Sequence, residues 1–73
     1  MNIKKKFGSR IVTLRKRKGI SQERLGFISK IHRTYISEIE RGETNVSLEH
    51  IEKLSIALGV SLSHLFCFDD KSS

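Results

Sequence analysis

The apolar residues of this 73-residue chain recur every three or four positions, a spacing that lines one face of an α-helix. Ile3, Phe7, Ile11 and Leu14 predict a first helix over about residues 3–18. Gly8 is expected to weaken the first two turns of this helix, because an interior glycine costs about 1 kcal/mol relative to alanine.

Four further segments repeat the helical pattern, and none sustains the alternation of a β-strand. Their predicted limits are about residues 21–29, 32–41, 47–58 and 61–67. Serines stand at the start of three of them, where they can accept hydrogen bonds from free N–H groups: Ser21, Ser47 and Ser61. Glycines stand where three patterns stop, as left-handed C-cap residues often do: Gly19, Gly42 and Gly59. The sequence therefore predicts an all-α fold, a single compact five-helix domain over residues 1–73, with residues 69–73 polar and loosely held.

The inward-facing residues of these helices predict a small core, as expected for so short a chain. The second and third helices contribute Leu25, Ile28, Ile36 and Ile39. The inner stripe of the fourth helix consists of Leu48, Ile51, Leu54, Ser55 and Leu58. In the last helix, Leu62 and Leu65 are expected to cover the core.

Charge divides the chain into two unlike halves. The formal net charge is +6, but residues 1–41 hold twelve of the fourteen Lys and Arg with three of the eight acids, a balance of +9. Residues 42–73 hold two Lys with five acids, a balance of −3. The basic half predicts a polyanionic partner, with nucleic acid as the leading candidate, an anionic membrane surface as the rival and a merely solvated surface as the remaining alternative.

Several classes of function find no support in the sequence. No apolar run approaches the roughly 18 residues of a membrane span, and the lysine-rich start lacks the apolar segment of a secretory signal. The lone Cys67 cannot form an internal disulfide, and His32, His50 and His64 have no spacing suited to a metal. These features favour a cytoplasmic protein. No arrangement of nucleophile, base or paired carboxylates stands out, so we also expect that the protein is not an enzyme and needs no cofactor, metal or small-molecule ligand.

Residues 21–41 meet the requirements of a helix-turn-helix. Gly26 supplies a small residue where the two helices cross. The apolar residues that can lock the second helix onto the first are Leu25, Ile31, Ile36 and Ile39. Polar side chains follow along the outer face of the second helix: His32, Arg33, Thr34, Tyr35, Ser37 and Glu38. We therefore expect the second helix to enter the major groove of double-stranded DNA.

The motif resembles the phage-repressor-like Cro/C1-type helix-turn-helix domains, also called the XRE type. The resemblance covers about residues 10–66 and rests on the stretches ISQERLG, HRTYISEIERG and NVSLEHIEKLSIALGVSLSHLF. The phrase RTYISEIERGE followed by NVSL is similar to the controller proteins of restriction–modification systems. Lys30 departs from the family, which usually has glycine in the turn. It must adopt a left-handed conformation at a cost of about 1–2 kcal/mol, or the turn must differ slightly.

The resemblance implies DNA contacts for particular residues. Arg33 matches the first exposed position of the second helix, where an arginine can donate two hydrogen bonds to guanine O6 and N7. The neighbouring positions implied to contact bases are Thr34, Tyr35 and Ser37. The residues implied at the phosphate backbone are Gln22, Arg17, Lys18, His32, Arg41, Thr44 and Asn45.

Other interpretations of these residues stay open. Arg33 can be a solvated surface arginine, Tyr35 a partly buried packing residue, and Glu38 a surface partner that contacts no base. Arg15 and Glu40 are assigned to structure, because the resemblance implies that an arginine late in the first helix pairs with the glutamate of the ERG triplet. Removing one partner of such a pair is strongly destabilising.

Residues 47–68 are predicted to make a homodimer. Ile56 and Val60 lie off the inward stripe of the fourth helix, and Phe66 and Phe68 have little left to pack against once the core is covered. An apolar patch of this kind usually marks an interface. The predicted interface residues are Ile56, Val60, Leu62, Phe66 and Phe68. The alternative is that Phe66 closes the core, so that Ile56 and Val60 carry the contact alone.

These features predict a homodimeric transcription regulator that binds a palindromic operator with half-sites about 10 bp apart. The controller resemblance implies that the target includes the operator of its own operon, and it makes RNA polymerase a further candidate partner. The alternatives are a phage-type repressor and, from a different class, an antitoxin-like module that binds a partner protein.

Overall fold

Within residues 2–68, which the computed structural model describes, the chain forms five α-helices. They are α1 (Ile3–Lys18), α2 (Gln22–Ser29), α3 (Arg33–Arg41), α4 (Leu48–Leu58) and α5 (Leu62–Leu65). The all-α prediction is confirmed. The predicted limits agree to within one residue except at the end of α5, which stops at Leu65 because Phe66 leaves the helical conformation. The expectation for residues 69–73 lies outside the described part of the chain.

Side-chain caps explain where the helices begin. Ser21, Ser47 and Ser61 each accept a hydrogen bond from the N–H group three residues further on, at 3.0 to 3.1 Å. Asn2 caps α1 with its amide oxygen, and His32 caps α3 with its ring nitrogen. Each cap satisfies a donor that the first turn of a helix leaves free, so the local sequence determines the start of every helix.

Left-handed residues explain where the first four helices end. Gly19, Gly42 and Gly59 occupy three of these ends, as predicted. Lys30 occupies the fourth, with φ 61° and ψ 33°, so the first of the two predicted alternatives for the turn is correct. The N–H of the following Ile31 donates to the carbonyl of Gly26 at 3.0 Å, which satisfies a free carbonyl at the end of α2.

The core lies among α1, α2, α3 and α4: α1 packs chiefly on α3, α2 packs on both α3 and α4, and α5 packs on α4. Its buried apolar residues are Phe7, Ile11, Leu14, Leu25, Ile31, Ile36, Ile39, Leu54, Leu58 and Leu65. Each of them belongs to an apolar pattern described above: Phe7, Ile11 and Leu14 to the repeat of α1, Ile31 to the residues that lock the helix-turn-helix, and the others to the inward-facing residues of their helices. None of the helices in residues 2–68 is long and apolar enough to cross a bilayer.

Two glycines allow helices to cross closely. A Cβ atom at Gly26 would lie 2.7 Å from the carbonyl oxygen of Ile31, which supports its predicted place at the crossing of α2 and α3. Gly8 is buried against the end of α3, and a Cβ atom there would lie 2.7 Å from the carbonyl oxygen of Glu40. The sequence presented Gly8 only as a weak point of α1; its actual function is to let α1 approach α3.

The predictions for the apolar residues outside this core were partly wrong. Leu48 and Leu62 were expected to cover the core, but Leu48 is 83% exposed and Leu62 is 51% exposed. Ile3, the first member of the predicted stripe of α1, is also exposed. Each of these residues is the first residue of its helix, and its side chain is not covered by the neighbouring helices.

The aromatic end of the chain also differs from the prediction. Phe66 does not lack neighbours, because its ring lies 5.3 Å from that of Phe7 and 5.8 Å from that of Phe68. Val60 and Phe68 pack against the core, whereas Ile56 is exposed as predicted. Arg10 holds this end on α1 by donating from Nε and Nη2 to the carbonyl of His64, at 3.2 and 2.8 Å.

Candidate nucleic-acid interface

We call α3 the recognition helix. Its outer face begins with side chains directed at solvent. His32 precedes it, and its Nδ1 accepts a hydrogen bond from the N–H of Thr34 at 3.1 Å. Arg33 and Thr34 are exposed on the first turn. These are the side chains best placed to contact a base pair, since the N-terminal residues of such a helix enter the groove first.

A polar network fixes the orientation of the recognition helix. Arg15 of α1 forms a two-pronged ion pair with Glu40 of α3, with Nε at 2.7 Å from Oε2 and Nη2 at 3.1 Å from Oε1. Gln22 of α2 donates from its amide to the same carboxylate at 2.8 Å, and Arg15 also donates to the carbonyl of Ile20 at 2.9 Å. The pair is largely buried, with side-chain exposures of 12% for Arg15 and 4% for Glu40.

This network joins three helices through one carboxylate. A planar guanidinium that binds a carboxylate with two parallel hydrogen bonds fixes angle as well as distance. The recognition helix therefore cannot rotate relative to α1 and α2 without leaving buried charge unpaired, which is costly. The network also shows that one N–H of Gln22, a residue implied at the phosphate backbone, is occupied inside the protein.

Tyr35 and Ser37 are less available to bases than Arg33 and Thr34. Tyr35 is half-buried, and its hydroxyl donates to the carbonyl of Asn45 at 3.2 Å. Ser37 is also half-buried, and its hydroxyl accepts a hydrogen bond from Nη1 of Arg41. Both residues were predicted to contact bases; the structure gives each a partner inside the protein, and for Tyr35 this corresponds to the packing alternative.

Arg41 and Glu43 form an exposed ion pair just after the recognition helix, with Nη2 of Arg41 3.0 Å from Oε1 of Glu43. The hydrogen bond to Glu43 raises the pKa of Arg41, and the same contact lowers the pKa of Glu43 below its ordinary value. An exposed pair of this kind is weak. A DNA phosphate could therefore replace Glu43 as the partner of Arg41.

The other residues implied at phosphates lie in two places. Arg17 and Lys18 are exposed at the end of α1, next to the start of α2. Thr44 and Asn45 lie in the loop that follows the recognition helix, and the hydroxyl of Thr44 donates to the carbonyl of Asn45 at 3.4 Å. Thr44 and Asn45 therefore follow the recognition helix directly, whereas Arg17 and Lys18 precede α2.

Three exposed or linking residues had no role in the sequence-based prediction. Phe27 is 74% exposed on α2, with the guanidinium of Arg24 5.5 Å from its ring centre. Its position off the stripe of Leu25 and Ile28 could have indicated this exposure. His50, which was considered from the sequence only as a metal ligand and set aside, contacts Tyr35, and no sequence signal links these two residues. The described residues contain no cluster of His, Cys, Asp or Glu side chains that could hold a metal ion.

The comparison with known families is decisive for the motif, because residues 11–65 match the family described as helix-turn-helix. The chain belongs to the Cro/C1-type helix-turn-helix family. Members of this family are DNA-binding transcription regulators. The matched residues include the whole of α2, the recognition helix and α4.

Relatives within the helix-turn-helix family include control proteins. The chain is 52% identical over 68 residues to the control protein C.BamHI of Bacillus amyloliquefaciens, covering 92% of this chain and 84% of that protein. It is 47% identical over 66 residues to C.MunI of a Mycoplasma species, covering 89% of both chains. The crystal structure of the restriction–modification controller protein C.AhdI of Aeromonas hydrophila matches with a TM-score of 0.87 and 45% identity, covering 90% of this chain and all of that one. The predicted resemblance to the family and to its controller proteins is therefore confirmed.

Proposed function

We propose that this protein is a restriction–modification controller that binds a palindromic operator in double-stranded DNA as a homodimer. The observation that carries the proposal is the recognition helix itself. Arg33 and Thr34 are exposed at its start, while the Arg15–Glu40–Gln22 network fixes its orientation from behind. A helix so held can present the same donors to every base pair that it meets, as direct readout requires.

The distribution of charge supports DNA as the partner. The candidate phosphate contacts Arg17, Lys18 and Arg41 lie in the half of the chain that carries a balance of +9. Phosphate contacts by such groups supply most of the sequence-independent affinity and make it depend on salt. A protein with such a partner would act in the cytoplasm, which is the localisation we propose.

The exposed apolar side chains of α4 and α5 support a homodimer. Leu48, Leu62 and Phe66 line one shallow groove, with Glu49 and Glu52 at its border. Ile56 is exposed one turn beyond Glu52. A contact between two copies through this surface would cover apolar area that a monomer leaves in water. Val60 and Phe68 pack against the core, so they would hold the helices that form the interface in place and would contribute little contact area themselves.

A two-fold arrangement would explain how so small a domain selects a site. One recognition helix reads only a few base pairs, whereas two on a two-fold axis read a palindrome with half-sites about 10 bp apart. Because the named relatives are control proteins, we propose that the operator lies before the protein's own operon. Occupancy would then follow protein concentration, and a contact with RNA polymerase would decide between activation and repression.

Selection of bound fragments from random duplexes tests this function. We expect an enriched palindrome whose half-sites are one helical turn apart, and protection of both half-sites at the same protein concentration. Enrichment of a single, non-repeated half-site would contradict the homodimer, and retention of all duplexes alike would contradict sequence-specific binding.

A further inference from the structure

His50 lies in the first turn of α4 and contacts the recognition helix. Its ring centre is 4.8 Å from that of Tyr35, and the two rings meet edge to face at 61°. Its Nδ1 lies 3.0 Å from the hydroxyl oxygen of Ser47, which also accepts the N–H of His50 at 3.1 Å. The cap of α4 thus fixes the imidazole on one side, and Tyr35 packs against it on the other.

Tyr35 extends this contact to the loop that joins α3 and α4. Its hydroxyl donates to the carbonyl of Asn45, so the ring held by His50 is attached to the loop backbone. The loop also contains Thr44, the other candidate phosphate contact in this segment. His50, Tyr35 and Asn45 therefore connect the start of α4, the recognition helix and the loop in one continuous set of contacts.

We propose that His50 is a positioning residue for DNA binding, which holds Tyr35 and, through it, the loop of Thr44 and Asn45 in the conformation that meets the operator. The inference rests on the proposed function. It assigns His50 an effect on DNA although the residue touches Tyr35 and Ser47 rather than a base. It also assigns Tyr35 a role in orienting the loop, because its hydroxyl proton is already donated to Asn45.

Three substitutions distinguish the contribution of the ring of His50 from that of its Nδ1 atom. His50→Ala removes both, His50→Phe keeps a flat ring against Tyr35, and His50→Asn keeps a polar atom near the Ser47 hydroxyl without a ring. We expect His50→Ala and His50→Asn to weaken operator binding about three- to tenfold, the range of one aromatic pair, and His50→Phe to restore most of it. His64→Ala is the matched control, since His64 is exposed on α5 and its side chain takes no part in these contacts.

A local probe distinguishes positioning from a general loss of stability. Tyr35 is the only tyrosine and the chain has no tryptophan, so intrinsic emission reports on this residue alone. We expect His50→Ala to change Tyr35 emission and to shift the amide NMR signals of Thr44 and Asn45, at temperatures where melting curves show the variant to be folded. In His50→Phe the two amide signals should return toward their wild-type positions.

The outcomes are distinct for the two claims. If the wild type selects no operator, the proposed function fails and this inference fails with it. If the wild type binds its operator and the folded His50→Ala variant binds equally well, only the role of His50 is overturned. A loss that His50→Phe does not restore, or unmoved amide signals of Thr44 and Asn45, would also overturn positioning through the ring.

Discussion

The helix-turn-helix and the segment from α4 to α5 use their apolar residues differently. In the helix-turn-helix, Leu25, Ile31, Ile36 and Ile39 are all buried within one chain, and Phe27 is its one exposed large apolar side chain. Along α4 and α5, Leu54, Leu58 and Leu65 are buried, but four large apolar side chains remain exposed: Leu48, Ile56, Leu62 and Phe66. The first region buries most of its large apolar side chains in a single copy, and the second offers surface that a second copy could cover.

Polar contacts sharpen this difference. The recognition helix is fixed by a buried carboxylate that receives hydrogen bonds from two other helices. The segment from α4 to α5 is attached to α1 through Arg10, whose side chain donates to a backbone carbonyl at the surface. A surface that reads bases must keep its orientation without a partner, whereas an interface can complete its packing on association. The comparison therefore predicts where single substitutions act on stability and where they act on assembly.

The largest effect is expected at the buried ion pair. Arg15→Ala leaves the Glu40 carboxylate without its charged partner, and breaking one side of a buried pair costs about 3–5 kcal/mol. Thermal unfolding of the protein without DNA would measure this loss. Glu43→Gln is the matched control, because it breaks the exposed pair with Arg41 and should leave the melting curve almost unchanged. Equal melting temperatures for Arg15→Ala and wild type would remove the distinction between the two regions.

The next effect concerns assembly. Leu48→Glu and Ile56→Glu place a charge on exposed positions of α4 and should leave the monomer folded. If the proposed interface is correct, each loses the burial of one large apolar side chain, about 1.5–3 kcal/mol, and light scattering at micromolar concentration should detect monomers. Phe27→Ser is the matched control, because Phe27 is equally exposed but lies on α2. Dimers that persist in both α4 variants would mean that the copies meet elsewhere.

The same comparison explains what the sequence could predict. Helical spacing, serine caps and left-handed end residues are local, so the limits of the first four helices followed from residues close together in the chain. The buried apolar residues followed because the period of a helix defines one face. The pairing of Arg15 with Glu40, 25 positions apart, came from the family resemblance and from no pattern of spacing.

The features that could not be predicted from the sequence depend on contacts between elements far apart in the chain. Spacing placed Leu48 on the inner stripe of α4, but it could not show that the first turn of this helix extends past its neighbours. Nor could it show that α3 passes so close to Gly8 that only glycine fits there. The partners of Tyr35 and Ser37 could not be predicted either, because helical periodicity indicates which face a residue lies on and not which atom its side chain contacts.

The third prediction separates base contacts from phosphate contacts on the fixed helix. Arg33→Ala should reduce the preference for the operator over random DNA by about 1–3 kcal/mol, because a two-pronged guanine contact is lost. Arg41→Ala should weaken binding to both duplexes alike and reduce the dependence of affinity on salt. Titrations of both variants at several salt concentrations would measure this. Equal losses on operator and random DNA for Arg33→Ala would exclude it from base reading.

The smallest effect is expected in the turn. Lys30 adopts the left-handed conformation, with φ 61°, which costs a residue with a Cβ atom about 1–2 kcal/mol. Glycine would avoid this cost, although part of the gain is offset by the greater freedom of glycine in the unfolded chain. We therefore expect Lys30→Gly to stabilise the protein by roughly 0.5–1 kcal/mol, which raises the melting temperature by several degrees in a domain of this size.

Lys30→Ala separates the relief of strain from the loss of a positive charge. It removes the same charge as Lys30→Gly but keeps the Cβ atom, so its melting temperature should stay near that of wild type. The hydrogen bond from the N–H of residue 30 to the carbonyl of Phe27 is retained in both variants. If alanine stabilised the protein as much as glycine does, charge and not backbone conformation would be the cause. If neither variant raised the melting temperature, the left-handed conformation of Lys30 would carry no measurable strain. The packing of Gly26 and Ile31 and the buried network would then be sufficient to hold the turn, which would strengthen the contrast with α4 and α5.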